Sequence, residues 1–454
     1  MFKNARASIA PLLLASLLAF SLPLHAESEE TEPQVRFSGF GSLGFVHNHG
    51  DGSAFIRDLT QPDGATNKGL FWEIDSRVGV QANYKPTENL EAIAQVISRY
   101  RIDNTFRPEL TWGFLKYTPN DFVDLRAGRI GYDIFIGADS RDVGYSYLWV
   151  RPPVEFYGQL FNSYIDGGDV AMRLPLGEGS ARAKLYSGIV RQQFASNHSQ
   201  VKATGPSSPF VNGPIANLAG SRMNGLVLDY QDTHWTFKLG RTDMLMRVDF
   251  QFDHTQPSIA SILAVMAGGA SPAQTSVLNS IADGTEPTGK HVIFSSVGMA
   301  YENGPLQIQA AANHFTSGFE AFPPSNSGFV SAAYRIGKFT PYAVISAIKS
   351  KHSGRPDELA SLGANPFLVE LTRFALGAGI RNQHTYSLGM RYDFAEHAAV
   401  KVQLDRTINR TCSPLRYPII NPAPACAPSM LWPAVPLEWD GHATVFSAVL
   451  DFTF

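Results

Sequence analysis

The clearest pattern in this chain is an alternation of apolar and polar residues that recurs in short segments. In the last eleven residues, Thr444–Phe454, every second side chain from Phe446 onward is apolar. Successive side chains of a β-strand point to opposite sides, so this period of two predicts a strand with one apolar face. A tilted strand of about ten residues is also long enough to cross a lipid bilayer.

The same alternation occurs upstream, and there the second face carries charges. It is found in residues 72–84, 181–186, 386–394 and 400–405. An apolar face toward lipid and a charged face toward water are typical of transmembrane β-barrels. A soluble sandwich has the same period, but aromatic residues at strand ends, which suit a membrane interface, favour the barrel.

Segments of this kind predict sixteen strands joined by connections of two lengths. The predicted strands lie near residues 34–47, 69–84, 90–100, 109–118, 123–130, 169–175, 180–191, 222–230, 234–247, 291–301, 306–315, 327–335, 338–350, 384–394, 398–409 and 444–454. Connections after odd-numbered strands are mostly long, and those after even-numbered strands are short turns, as in outer-membrane barrels. The fold class is therefore all-β, a transmembrane antiparallel barrel wide enough for an aqueous channel.

Several long connections show local features of their own. Helices are expected at residues 258–268, at 271–283 with Ser271 as N-cap, and from Asn365 through Leu376. The long loops 248–290 and 351–383 match no functional pattern.

The first 26 residues have the features of a cleaved export signal. Lys3 and Arg6 precede an apolar run from Leu12 to Leu24, and Ala26 precedes an acidic tail. The run has about 13 residues, whereas a spanning helix needs about 20, so a membrane anchor is the weaker alternative. The predicted organisation is a signal peptide at 1–26 and a barrel domain at 27–454.

Composition narrows the possible functions. Charged residues make up only 17% of the chain, and the formal net charge is −3. No basic cluster predicts nucleic-acid binding, and neither a cofactor nor a metal site is predicted. The glycine pattern of residues 39–44 resembles a dinucleotide fingerprint but lies within a strand, which is the wrong context.

The two cysteines, Cys412 and Cys426, both fall in the last long connection. Export to an oxidising compartment permits a disulfide between them, and free thiols are the alternative. A bond closing a loop of about 15 residues would contribute on the order of 3 kcal/mol in the chain-entropy description.

The sequence resembles the general porin family of Gram-negative outer membranes in three places. These are the opening strand around Phe37–Gly44, the hairpin of residues 387–403, and the final strand that ends at Phe454. The resemblance implies a homotrimer in the outer membrane, with membrane lipid and lipopolysaccharide around it. Outer-membrane barrels that are enzymes have fewer strands, so the length of the chain argues against enzymatic activity.

In the porin family the third external loop folds into the pore, and the corresponding segment here is 131–168. The resemblance implies that charged residues of this loop line a constriction: Asp133, Asp139, Arg141, Asp142, Arg151 and Glu155. Strand parity places a set of basic residues on the inner wall: Arg77, Arg126, Arg173, Arg182, Lys184, Lys238, Arg391 and Lys401. Acidic loop residues facing a basic wall would create a transverse field, and charges at a narrow point set ion selectivity.

The expected function is passive diffusion of ions and small hydrophilic solutes. Two alternatives remain open at this point. One is a substrate-specific channel, and the other is an adhesin or structural barrel whose external loops bind a partner. The sign of ion selectivity also stays open, since the basic wall favours anions and the net charge favours cations.

Overall fold

The chain forms a single closed barrel. The structure is a computed structural model that describes residues 34–62, 64–159, 162–195, 215–251, 269–320, 322–351, 353–377, 380–410, 412–413, 425–426 and 439–454. The predicted export signal at 1–26 and the expected helix at 258–268 lie outside these residues. Within the described residues, no helix is both long and apolar enough to span a bilayer.

Sixteen antiparallel strands in the described chain close the barrel, each paired with its neighbours in sequence order. They are β1 Gln34–Asn48, β2 Arg77–Thr87, β3 Leu90–Arg99, β4 Glu109–Asn120, β5 Val123–Gly131, β6 Tyr164–Leu176, β7 Gly179–Val190, β8 Ser221–Gln231, β9 Trp235–Leu245, β10 His291–Asn303, β11 Leu306–Ser317, β12 Ser325–Tyr334, β13 Phe339–Ser350, β14 Asn382–Ala395, β15 Ala398–Asn409 and β16 His442–Thr453. The first and last strands pair with each other, with Leu43 opposite Leu450. The expected fold class is therefore confirmed.

Strand parity assigns the two faces of the wall as the sequence predicts. On β16, Phe446 faces outward and is 43% exposed, whereas Asp451 faces inward and is fully buried. Exposed apolar side chains recur on the outer face of strand after strand, including Leu185, Leu239 and Leu388. So much exposed apolar surface is unfavourable in water and suits a hydrocarbon environment.

Two predicted strand starts are wrong. β2 begins at Arg77 rather than near residue 69, because the chain makes only one bridge to β1, at Phe71, and then turns so that Asp75 enters the barrel. β6 begins at Tyr164 rather than near residue 169. Its first residues contain the pair Gly167-Gly168, which hides the alternation that marks the rest of the strand.

The connections alternate in length, so the barrel has a short-turn end and a long-loop end. Gly177 and Gly304 occupy tight turns with positive φ angles of 59° and 58°. That backbone conformation is readily adopted by glycine and disfavoured for residues with a side chain, so these turns fix where the strands end. The first residue of β1, Gln34, and the last residue of β16, Thr453, both lie at the short-turn end of the barrel.

The long-loop end carries the short elements. These are a 3-10 turn Gly144–Ser146, helices α1 Val154–Tyr157, α2 Pro272–Gly284, α3 Arg355–Ser361 and α4 Pro366–Gly377, and short strands Gln193–Ala195, Ile215–Asn217, Asp249–Gln251, Cys412–Ser413 and Ala425–Cys426. The expected helices at 271–283 and from Asn365 are confirmed. Ser271 caps α2 in a reciprocal capping box with Gln274.

Candidate functional site

The connection between β5 and β6, residues 132–163, lies inside the barrel, and we call it the inner loop. The backbone oxygen of Ile134 accepts a hydrogen bond from Ser296 on β10 at 2.5 Å. The indole of Trp149 donates to Ser331 on β12 at 2.8 Å. Because β10 and β12 lie across the barrel from β5, the inner loop crosses the interior.

The inner loop begins with a buried carboxylate in a basic environment. Asp133 lies 2.6 Å from Arg182, 2.5 Å from Lys184 and 3.5 Å from Lys238. Burial alone would raise the pKa of Asp133, but the three positive charges outweigh it and hold the pKa well below its ordinary value. Here an acidic loop residue faces basic wall residues.

A second acidic contact lies farther along the loop. Asp142 is 3.0 Å from Arg99 and 3.6 Å from Arg77. Burial opposes ionisation of Asp142, yet the surrounding guanidinium groups lower its pKa. Arg77 is thus at the inner wall where parity placed it. Arg99 could not be predicted in this way, because Ile93 and Ile97 make its face of β3 as apolar as the outer face.

Arg151 reverses the expected polarity of loop and wall. Its guanidinium is buried, lies 2.6 Å from Asp75 and 3.1 Å from Asp405, and also donates to Ser447. The picture of an acidic loop against a basic wall is therefore wrong at this point. The inner loop supplies the cation, and the carboxylates come from Asp75, just before β2, and from Asp405 of β15. Two carboxylates next to one another favour a cation between them.

Glu155 attaches helix α1 to the opposite wall through neutral donors. Its carboxylate accepts hydrogen bonds from Ser346 at 2.6 Å, Gln383 at 2.8 Å and Thr385. Next to it, Gln159 accepts a bond from the buried guanidinium of Arg381 at 3.0 Å. The C-terminal half of the inner loop is therefore held against β13 and β14.

Lys401 and Arg391 hold the middle of the loop by its backbone. The ammonium of Lys401 donates to the carbonyl oxygens of Gly144, Tyr147 and Trp149 at 2.6–3.0 Å. The guanidinium of Arg391 donates to the carbonyl oxygens of Tyr147 at 3.1 Å and Tyr145 at 2.9 Å. Both wall residues therefore position the loop, rather than presenting a free charge.

At Gly144 the inner loop lies very close to the wall. A Cβ atom there would lie 2.0 Å from a carboxylate oxygen of Asp451 and 2.4 Å from the hydroxyl of Ser42. Only a residue without a side chain fits at this distance. The sequence gives no sign of this constraint.

Four of the expected site residues do not join these contacts. Asp139 is exposed, and Arg141 donates within the loop to the carbonyl of Asn162 at 2.9 Å. Arg173 is on the inner face near the short-turn end, where it pairs with Asp124 at 3.0 Å, away from the inner loop. Arg126 forms a bidentate pair with Asp169 on the neighbouring strand.

Sequence analysis missed the contribution of the first long connection. Arg57 enters the barrel, lies 3.3 Å from Asp75, and donates to the hydroxyl of Tyr147 and the carbonyl of Arg141, both at 3.1 Å. Burial favours the neutral form of Tyr147 and raises its pKa to about 12 despite the nearby guanidinium. A cavity beside Arg57 is lined by Arg99, Arg141 and Asp142 as well. The cluster of a loop arginine with inward carboxylates depends on the loop path, which strand periodicity does not give.

The inner face is less polar than expected in the long-loop half. Aromatic rings of the inner loop, Phe135, Phe156 and Tyr157, pack against Phe294 and Phe329 of the wall. The expectation of a polar interior is therefore wrong there, because the loop itself shields these wall residues from water. Burial of apolar surface contributes about 25 cal/mol per Å², which favours holding the loop inside.

The short-turn half of the interior remains accessible. Lys116, Arg126 and Arg182 face inward there and are only half-buried. Lys116 pairs with Asp124 and Arg126 with Asp169, whereas Arg182 lies between Asp133 of the inner loop and Asp229 of β8. An accessible inner surface with both signs of charge can interact with ions and polar solutes.

No protein-family model and no curated protein sequence matches the chain. Among solved structures, the chain is similar to OmpT of Vibrio cholerae, with 12% identity, a TM-score of 0.48, and 94% of this chain and 99% of that chain covered. It is also similar to the anion-selective porin from Comamonas acidovorans, with 11% identity, a TM-score of 0.49, and coverage of 93% and 100%. It is also similar to the outer membrane channel DcaP of Acinetobacter baumannii, with 9% identity, a TM-score of 0.48, and 95% of this chain and 100% of that chain covered. The matched structures include porins, the family that the sequence motifs resemble. At these identities and scores, the function has to be argued from this chain's own contacts.

Proposed function

We propose that the chain is an outer-membrane channel for passive diffusion of ions and small hydrophilic solutes. The observation that carries the proposal is a closed sixteen-stranded barrel with an apolar outer face and a loop attached inside it. A barrel of this size is wider than its own wall side chains can fill. The wall side chains therefore leave an open lumen, and the inner loop narrows it.

The charge arrangement suits a constriction. The loop and wall residues form several pairs of opposite sign, with Asp133, Asp142 and Arg151 as the loop members. The half-buried Arg126 and Arg182 extend this charged surface toward the short-turn end. Solutes that pass such a surface must be small and hydrophilic, because an apolar solute would gain nothing from the paired charges.

The proposed function also requires that the chain is exported and assembles in a membrane. Residues 1–26 would direct the chain out of the cytoplasm, and the mature barrel would insert into the Gram-negative outer membrane. By resemblance to porins it would form a homotrimer. The chemistry needs no catalytic group or cofactor, since solutes move down their own gradient.

A second candidate is a barrel without a continuous pore whose external loops bind a partner. The aromatic packing of Phe156 against Phe329 inside the long-loop half favours this candidate, since it fills part of the lumen. Ion conductance separates the two candidates, because only a continuous water path carries current.

Single-channel recording in a salt gradient tests the proposal. We expect discrete conductance steps, and opposite shifts of the reversal potential in two variants. Asp133→Asn removes the negative charge next to Arg182, Lys184 and Lys238 and shifts selectivity toward anions, whereas Arg126→Gln leaves Asp169 without its cation and shifts selectivity toward cations.

A matched control and a pH series sharpen this test. Asp243→Asn removes a carboxylate on the outer face, bound to His291, and should leave the reversal potential unchanged. Because the pKa of Asp133 is held below its ordinary value, its charge stays present as pH falls through the usual carboxylate range, and is lost only when pH passes the depressed pKa. Absence of conductance from the folded protein would contradict the proposed function.

A further inference from the structure

The outer face of the barrel carries an unexpected group of arginines at the long-loop end. Strand parity turns Arg191, Arg222 and Arg247 outward, next to the ends of β7, β8 and β9. Elsewhere this face is mainly apolar, so three neighbouring guanidinium groups need a different explanation from lipid-chain contact.

Backbone register places these arginines around a gap. Gly220 donates to the carbonyl of Val190 at 3.1 Å, and Arg247 donates through its backbone to Ser221 at 2.8 Å. Gly220 therefore lies between Arg191 on one side and Arg247 on the other. Adjacent strands are about 4.8 Å apart, so the two arginines start about 10 Å apart, within reach of a common ligand.

Gly220 keeps the gap open. A Cβ atom at this position would lie 3.3 Å from the Cδ atom of Arg247, and its φ of +92° also disfavours any other residue. Arg222 lies one step nearer the membrane centre, between Ile189 and Leu245 in the ladder. We call this group of three arginines around Gly220 the arginine notch.

The notch has more positive charge than the nearby residues neutralise. Within the described ranges, no carboxylate lies within ion-pair distance of Arg222 or Arg247. Arg191 lies 3.1 Å from Asp166, but that carboxylate is shared with Arg129 at 2.7 Å. The Arg191 side chain is also 58% exposed. The notch therefore attracts an anion from its surroundings.

A groove and an apolar surface accompany the charges. The groove is lined by Ile189, Asn217 and Thr288 together with Arg191 and Arg247. Toward the middle of the barrel, the outer face continues with exposed leucines: Leu185, Leu226, Leu239 and Leu245. A ligand with an anionic group at the notch and hydrocarbon below it would satisfy both surfaces.

We propose that the arginine notch binds a phosphate group of a membrane lipid, with the acyl chains on the leucine surface below. Guanidinium groups hold phosphate through paired, charge-assisted hydrogen bonds. The outward direction of the notch favours a lipid over a dissolved ion, because a ligand there lies between the barrel and the surrounding membrane. The inference rests on the membrane location in the proposed function and is independent of conductance.

Native mass spectrometry of the detergent-solubilised full-length mature protein tests the inference. The probe is diphosphoryl lipid A, titrated against wild-type protein and Arg222→Gln/Arg247→Gln. At about fivefold for each arginine near a phosphate-bearing surface, the double variant should lose about 25-fold in affinity. Arg406→Gln is the matched control, since Arg406 is an exposed, outward arginine near the loop end of β15, and it should bind like wild type.

Two further arms identify the source of the phosphate and need no variant. A phosphate-free analogue of the same lipid should bind the wild-type protein far more weakly. Inorganic phosphate at the concentration of the lipid should not displace it. Equal binding of the phosphate-free lipid, full displacement by inorganic phosphate, or equal losses in the double variant and Arg406→Gln would each overturn the inference.

Discussion

Arg151 shows how single residues hold the inner loop in place. Its guanidinium, the carboxylates of Asp75 and Asp405, and the hydroxyl of Ser447 are all buried. Buried charges are stable only when each is paired, so removal of one partner costs more than the pair itself contributes. The arrangement therefore gives the loop one preferred position.

Replacing Arg151 with Met should loosen the loop and leave the barrel closed. The change leaves two buried carboxylates without this cation and should cost about 3–5 kcal/mol locally. Limited trypsin digestion with mass spectrometry should then show cleavage after Arg141, which the wild-type protein resists.

Arg173→Met is the control for this change, because Arg173 is half exposed and pairs only with Asp124 near the short-turn end. An exposed pair contributes about 0–1 kcal/mol, so this variant should digest like wild type. Equal resistance of the Arg151 and Arg173 variants would refute the anchoring role of Arg151.

For single residues, the sequence predicted which way a side chain points better than it predicted which group that side chain contacts. Parity alone identified Lys184, Lys401 and Arg126 as inward, and they are inward. Their partners could not be predicted, because the contacts of Lys401 with loop carbonyls depend on where the loop runs. Arg57 was missed for the same reason.

The secondary elements follow from local rules, with exceptions where tertiary contacts intervene. All sixteen strands and helix α2 are found in the segments that periodicity and capping predict, but β2 and β6 do not start where expected. The start of β2 was wrong because Asp75 is drawn inward by Arg57 and Arg151, a long-range ion pair that no local pattern records.

The two short strands Cys412–Ser413 and Ala425–Cys426 support a prediction at the level of elements. Their backbones pair so that Cys412 and Cys426 are opposite each other. We expect a disulfide here, because directly opposed positions are close enough for one. The intact mass of the purified protein should be about 2 Da below that of the reduced protein, and thiol labelling should require a reductant.

The single variant Cys412→Ser is the control for this measurement. It frees one thiol at Cys426, which should label without a reductant. Labelling of both cysteines in the unreduced wild-type protein would show that the bond is absent.

At the scale of the whole molecule, contacts with the barrel wall fix the position of the inner loop. The wall residues that contact the inner loop come from both sides of the barrel, among them Lys184, Ser331 and Lys401. The closed barrel and the number of strands were predictable, since each strand carries its own pattern. The filled long-loop half was not, because it results from packing between a loop and a wall far apart in sequence.

We propose that the inner loop sets the width of the water path through the barrel. Gly131 and Tyr164 are direct partners in the ladder, so a short linker can join β5 to β6 without the loop. Single-channel conductance of the wild-type protein and of a protein with residues 134–162 replaced by a short Gly/Ser linker tests this directly. We expect discrete steps from the wild-type protein and larger steps from the shortened one, and steps of equal size, or no current from either folded barrel, would contradict the account.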